Sequence, residues 1–316
     1  MGRRGEQQDQ LASASSIRGL ATALIVVALP LSLRAEHLRP ETSQAFDQYV
    51  QQVKARLHAR TRPGATFLWI DESPERKEAV RHGEILVTPI GERCPKPVAN
   101  GLIHDWIADI FLPDTTLTDV MSVVRDYDQY PKFYKPYVIE AKPLSKDAQE
   151  DRFSMMLLNK SIFQRTALDN DYQTNYVWLS PTRIYSVSHT TRVQEIDNLG
   201  QSSQREMPVD TGNGYVWRLY SISKMEEGEG GVYLELEAVL LSRDIPAAFH
   251  WFVDPIVRRV SKDAMITTLQ QTSAAVHSRV VAAKQEKSAC ETASTADCLH
   301  ARKSRPESEA TSQRPR

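Results

Sequence analysis

Hydrophobic and polar positions change period twice along this chain, and the changes divide it into parts. Over residues 41–60, Phe46, Tyr49, Val50, Val53 and Leu57 recur at helical spacing, with Thr42 or Ser43 available as cap and Arg62-Pro63-Gly64 as the stop. Two short apolar runs follow, TFLWI at 66–70 and EILVTPI at 84–90, joined by the charged stretch 71–83. They read as strands, so residues 36–97 are expected to form a helix and a small hairpin leaning on a larger domain. Residues 101–113 read as a strand bounded by glycine and proline. The helical segment after it carries Leu117, Val120, Met121 and Val124 on one face, and a shorter helix at 127–136 is broken by prolines.

Beyond residue 136 the period is two. Strands are predicted at 137–143, 152–161, 165–179, 182–196, 214–226 and 231–243, separated by polar or glycine-rich turns. No helical pattern interrupts them, so they should pair as an antiparallel meander. A long helix from Asp254-Pro255 to about Ala283 closes the domain. Its apolar residues fall on two sides, Ile256, Val257, Val260 and Ala264 against Met265, Leu269, Val276 and Val280. That pattern requires either different neighbours along its length or a kink. The fold class is therefore α+β. A strongly twisted antiparallel sheet curls, and one long helix can cover its concave face.

The two ends read differently from the middle. Residues 19–33 carry no charge and lie between Arg18 and Arg34, with Ala35 following. The run is shorter than the roughly 20 residues a bilayer span needs. Its order is that of a secretory signal peptide over 1–35, and an uncleaved membrane anchor is the other reading. Residues 284–316 hold one large aliphatic residue, Leu299, and are expected to form a disordered tail. The 316 residues are 41% hydrophobic and 25% charged, with formal net charge −1. Those values fit a globular protein and offer no basic surface for nucleic acid. Three cysteines do not make a disulfide scaffold, and pairing of Cys290 with Cys298 is left open. The eight histidines form no paired-ligand spacing, and there is no GxSxG or CxxC, so no metal or cofactor is implied.

The candidate polar set is spread over three strands: Ser186, Ser188 and Arg192, then Arg218 and Tyr220, then Glu237. Antiparallel neighbours can bring such residues to one face. On a concave face, Glu237 would need Arg218 or Arg192 as counter-ion, and the cluster could hold the polar end of a ligand. On an outer face the same residues would form an ion-pair network of small energetic value. Tyr127, Tyr130 and Tyr134 would either line a cavity mouth or pack on the sheet edge. Arg243-Asp244 reads as a strand-end ion pair.

Several pieces of the chain resemble a known superfamily. They are Val124-Arg125-Asp126-Tyr127 with Tyr134-Lys135-Pro136, Gly214-Tyr215-Val216-Trp217-Arg218, Gly231-Val232-Tyr233, and Leu241-Ser242-Arg243-Asp244-Ile245-Pro246. Across about residues 98–282 they resemble START-like domains, the superfamily of polyketide cyclases/dehydrases and lipid-transfer proteins. The resemblance implies a helix-grip fold over 98–283, with the curved sheet wrapped around the C-terminal helix and a hydrophobic cavity between them. It does not imply one activity. Members bind sterols, phospholipids, quinones or polyketides, and some catalyse cyclisation or dehydration. The expected function is binding or transfer of a hydrophobic small molecule outside the cytoplasm, with Arg192, Arg218, Tyr220, Glu237, Ser188 and Tyr134 contacting it and no catalytic residue assigned. A cyclase/dehydrase-like enzyme and an exported interaction protein are the alternatives. The expected partner is an apolar small molecule and not nucleic acid; transient membrane contact and oligomeric state stay open.

Overall fold

The computed structural model describes residues 36–160, 165–245 and 250–292. Its elements begin with β1 (Glu36–His37), α1 (Pro40–Arg60), a 3-10 turn at Trp69–Glu72, α2 (Pro74–Arg81), β2 (Leu86–Pro89), β3 (Lys96–Val98) and β4 (Gly101–Pro113). Next come α3 (Leu117–Val124), α4 (Tyr130–Phe133), β5 (Val138–Lys146), β6 (Glu150–Lys160), β7 (Arg165–Ser180) and β8 (Arg183–Asp197). Then follow β9 (Arg205–Glu206), β10 (Thr211–Gly212), β11 (Arg218–Gly228), β12 (Gly231–Arg243) and α5 (His250–Thr292). The main sheet runs β2-β4-β12-β11-β8-β7-β6-β5, with β3 also on β4 and β9 on β8. All its pairings are antiparallel. The six period-two runs are thus the meander β5-β6-β7-β8-β11-β12, and β4 joins it at β12. Antiparallel sheet plus long C-terminal helix is the helix-grip arrangement that the resemblance implied.

The β11–β12 turn shows why this sheet tolerates little change at its hairpins. Gly231 lies opposite Pro113 of β4. A Cβ there would stand 2.3 Å from the Leu112 carbonyl oxygen and 2.7 Å from the Phe111 ring. Only glycine lets three strands approach so closely.

Three expectations need correction. Residues 66–70 are not a strand. Ser73-Pro74 starts a helix, with Ser73 Oγ accepting from the Arg76 amide at 3.3 Å, so the stretch read as a charged turn is α2. The chain before it curls into the 3-10 turn and buries Phe67, Leu68 and Ile70 against Phe111 and Tyr233. The second run does form a strand, β2, but it pairs with β4 rather than with a hairpin partner. Helix α1 begins at Pro40 behind Arg39, so neither Thr42 nor Ser43 caps it; Thr42 is buried and its hydroxyl donates to the Ala99 carbonyl at 2.8 Å. Finally, α5 continues to Thr292, nine residues past its expected end. Lys, Gln, Glu and Ala propagate a helix without burial, and residues 281–288 are exposed. Residues 1–35, 293–316 and thus the signal-peptide reading and Cys298 lie outside the described residues. No helix among the described residues is long and apolar enough to cross a membrane.

The sheet carries a core on each face. On one, Met265, Leu269, Val276 and Val280 of α5 pack with α3 against Ile110, Leu112, Leu234, Met225 and Ile184. On the other, Phe46, Tyr49, Val50, Val53 and Leu57 of α1 pack against Ile103, Tyr220, Ile222, Val239 and Leu241. The helical stripe of 41–60 therefore serves as a lid for a second sheet face.

Candidate functional site

Burial alternates along β11 and β12 in a way that separates the two faces. Tyr220, Ile222, Lys224, Glu235, Glu237, Val239 and Leu241, which face α1 and the 67–81 segment, are buried. Their neighbours Leu219, Ser221, Ser223, Leu236, Ala238 and Leu240 face the α5 side and stay half-buried. A central strand pair normally hides both faces beneath its layers. Here the α5 side keeps accessible surface in the middle of the sheet.

Side-chain size explains that surface. The register aligns Trp106, Ala238, Ser221, Ser188 and Thr174 in one row across five strands. The adjoining row is Ala108, Leu236, Ser223, Ser186 and Tyr176. The third row, Ile110, Leu234, Met225 and Ile184, carries the bulky residues on which α5 and α3 sit. Helix α5 thus rests on the large side chains, while the small ones beside them leave room. The row of small residues is not inert. Thr174 Oγ1 donates to Ser188 Oγ at 2.8 Å, and Thr190 Oγ1 accepts from the Leu219 amide at 3.1 Å. Two buried polar atoms near this face have no hydrogen-bond partner among the described residues, Trp106 Nε1 and Asn170 Oδ1, although Asn170 Nδ2 donates to the Tyr172 hydroxyl at 3.1 Å. A buried donor and a buried acceptor without partners are costly unless something meets them.

An aromatic wall bounds the region on the β5–β7 side. The Tyr127 ring stacks on Phe153 at 4.1 Å, Phe153 stacks on Tyr172 at 4.9 Å, and Tyr130 and Tyr134 meet edge to face at 4.9 Å. Behind it lies Asp151, fully enclosed. Arg125 grips it through Nε at 2.8 Å and Nη2 at 2.5 Å, and the Tyr127 hydroxyl donates to it at 2.8 Å. Tyr127 and Tyr176 hydroxyls are 3.1 Å apart. Burial holds both phenols above their ordinary range, with Tyr176 pushed up to about 12, so both act as neutral hydrogen-bonding groups near neutral pH.

The six residues singled out from sequence do not come together. Ser188 lies in the small-residue row. Tyr134 ends α4, and its hydroxyl meets Thr272 Oγ1 of α5 at 3.1 Å, tying the short helix to the long one. Tyr220 and Glu237 are buried on the opposite face, beneath α1. Glu237 is paired by Arg56 at 2.6 Å, which also holds Asp105 at 2.7 Å; neither Arg192 nor Arg218 is its counter-ion. Arg218 binds Asp210, and Arg192 binds Asp169 and Asp171. A bulge explains the separation of Arg192 from Ser188. Between Thr190 and Arg192 the β7–β8 register slips by one residue, which turns Arg192 to the face opposite Ser186 and Ser188. Strict alternation could not reveal it. Of the residues not singled out from sequence, Trp106, Asn170, Leu219, Ser221 and Ser223, only the two serines of β11 carried a legible signal, continuing the small hydroxyl residues Ser186 and Ser188 of β8.

Cys94 is a free, buried thiol whose Sγ lies 3.6 Å from the Asp105 carbonyl, and burial raises its pKa. No group of three or more metal-ligating side chains is present among the described residues.

No family model matches this chain, and no curated protein matches it. Solved structures do. A STAR-related lipid transfer protein from Xanthomonas axonopodis is 14% identical, with 60% of this chain and 98% of that one covered at a TM-score of 0.38. Human STARD10 is 9% identical, with 77% and 92% covered at 0.40. The Zhui aromatase/cyclase from a Streptomyces species is 10% identical, with 56% and 96% covered at 0.38. The fold assignment rests on this chain's own strand order and closing helix.

Proposed function

We propose that this chain binds a largely apolar small molecule between the α5 side of its sheet and α5, as a carrier rather than a catalyst. The observation that carries the reading is the row Ala238-Ser221-Ser188-Thr174, small side chains crossing four strands, with Ser223 and Ser186 in the adjoining row and the bulky residues under α5 only in the row beyond. Leu219, Leu236 and Phe153 would supply apolar contact, and the unpartnered Trp106 Nε1 and Asn170 Oδ1 would meet polar atoms of the ligand. Ser188 belongs to this site, and Tyr134 closes its α4 edge. Burying about 300 Å² of apolar ligand at about 25 cal/mol per Å² gives about 7 kcal/mol. Association entropy offsets part of that, so affinity between about micromolar and millimolar is expected from this contact. Export through residues 1–35 is part of the proposal, supported by the uncharged run and Ala35. N-terminal sequencing of the mature protein checks it: a chain beginning near Glu36 supports export, and one beginning at Met1 or Gly2 in the cytoplasm refutes it.

The binding test uses a fluorescent lipid titration and mass spectrometry of organic extracts from the purified protein. Ser221→Trp fills the row and is expected to weaken binding at least about tenfold. Equal titration curves for the two proteins, or no bound organic molecule and no saturation, would refute the reading. Turnover of a polyketide-type substrate in the same preparation would instead make the protein an enzyme.

A further inference from the structure

The most unusual chemistry in the molecule lies away from this site, beneath the N-terminal segment. Strands β4 and β12 present Asp105, Asp109, Glu235 and Glu237 to the face covered by α1 and the 67–81 segment, and all four are buried. Two cations account for three of them. Arg56 serves Asp105 and Glu237. Lys224, itself buried, lies 2.5 Å from Glu235 and donates to the Phe67 carbonyl at 2.6 Å, while Glu235 accepts from the Trp69 amide at 2.5 Å. Asp109 is different. It stands directly opposite Glu235 in the ladder, is 0% exposed, and neither of its carboxylate oxygens has a hydrogen-bond partner among the described residues.

The groups that face it can be counted by element. Strand β12 offers Glu235, β11 offers Lys224, α1 offers Arg60 and the 3-10 turn offers Asp71. Lys224 is taken by Glu235, Arg60 pairs with Glu72, and Asp71 is held by Lys77 of α2 at 3.0 Å. Strand β2, paired alongside, contributes no ionisable side chain. Lys224 lies across Glu235 from Asp109 in the ladder, and directly opposed carboxylates with that one cation on the far side cannot both be charged in a dry site without a cost of several kcal/mol.

We infer that Asp109 is a proton-binding site of the folded protein, and that its proton holds the 61–81 segment on the sheet, making this cover a pH-sensitive latch. Burial and the neighbouring Glu235 charge both favour the neutral form, in agreement with a carboxyl held well above its ordinary range. The sign follows from linkage. The docked state keeps the proton that a solvated Asp109 releases above pH about 4, so docking is strongest at low pH and weakens as pH rises through the docked-state titration.

Infrared difference spectra and hydrogen exchange on the full chain test this. The wild-type protein at neutral pH is expected to show a protonated-carboxyl C=O band that Asp109→Asn removes and that Glu235→Gln, which lifts the neighbouring charge and frees Lys224, moves to a lower pH range. Exchange at the Trp69 amide, taken as the ratio of wild type to Asp109→Asn at each pH, is expected to climb by up to about tenfold per pH unit from about pH 4 until the docked Asp109 titrates, and to level off above that. If the Asp109→Asn chain does not fold, the wild-type band must disappear over the same pH interval in which the 61–81 segment becomes accessible to protease. A band unchanged by Asp109→Asn, a flat exchange ratio, or a segment released with the band still present would each overturn the inference.

Discussion

The two faces of the sheet solve opposite problems with different residue types. Beneath α1 and the 67–81 segment the strands present charged and aromatic side chains, yet these are buried and nearly all paired. Beneath α5 they present serines, alanine and leucines, yet these remain half-buried. Charge therefore marks the closed side of this protein, and small neutral residues mark the open side. Of the residues singled out from sequence, Tyr220 and Glu237 lie on the closed face and Ser188 on the open one. Long charged side chains can span the gap to a covering segment and anchor it, as Lys224 anchors the Phe67 carbonyl. Small side chains fill no gap, and the space they leave is what a ligand needs.

The contrast can be broken from either side. The largest effect is expected from Lys224→Met, which leaves Glu235 and the Phe67 carbonyl buried without their cation. Denaturant unfolding should show a loss of about 3–5 kcal/mol. A loss under about 1 kcal/mol would mean that water reaches this face. Phe46→Ala removes a buried contact between α1 and the sheet and should cost about 3 kcal/mol, with ligand titration unchanged. Tyr127→Phe, at the aromatic wall of the open side, removes one donor from the enclosed Asp151 while Arg125 remains. About 1.5–2 kcal/mol is expected, together with altered ligand affinity. The smallest effect belongs to Arg218→Gln. Its pair with Asp210 is partly solvated, so stability should fall by less than about 1 kcal/mol, and the fluorescent titration should not move. A large affinity change there would restore Arg218 to the ligand site and break the comparison.

Helix α1 and the strand series were legible because each has an internal period. Phe46, Tyr49, Val50, Val53 and Leu57 are buried as their spacing requires, and β4 and β12 keep their expected limits of Gly101–Pro113 and Gly231–Arg243. The 66–70 run was misread because apolar residues in a short stretch fit a strand or a buried turn equally. The decision came from Lys224 and Glu235, more than 150 residues away, which satisfy the Phe67 carbonyl and the Trp69 amide that a strand partner would otherwise have bonded.

Period and turn chemistry, both local, determined from sequence alone the long strands from β4 to β12, their antiparallel meander, and that a long helix closes the domain. Only the tertiary structure decided which alternating set of side chains faces α5. A strand's two faces are equivalent until a covering element chooses one, and a single bulge at Thr191 exchanges them for the rest of β8. The counter-ion of Glu237 was settled the same way, by α1 bringing Arg56 within 2.6 Å across 181 positions of chain, a contact that no spacing within the strands encodes.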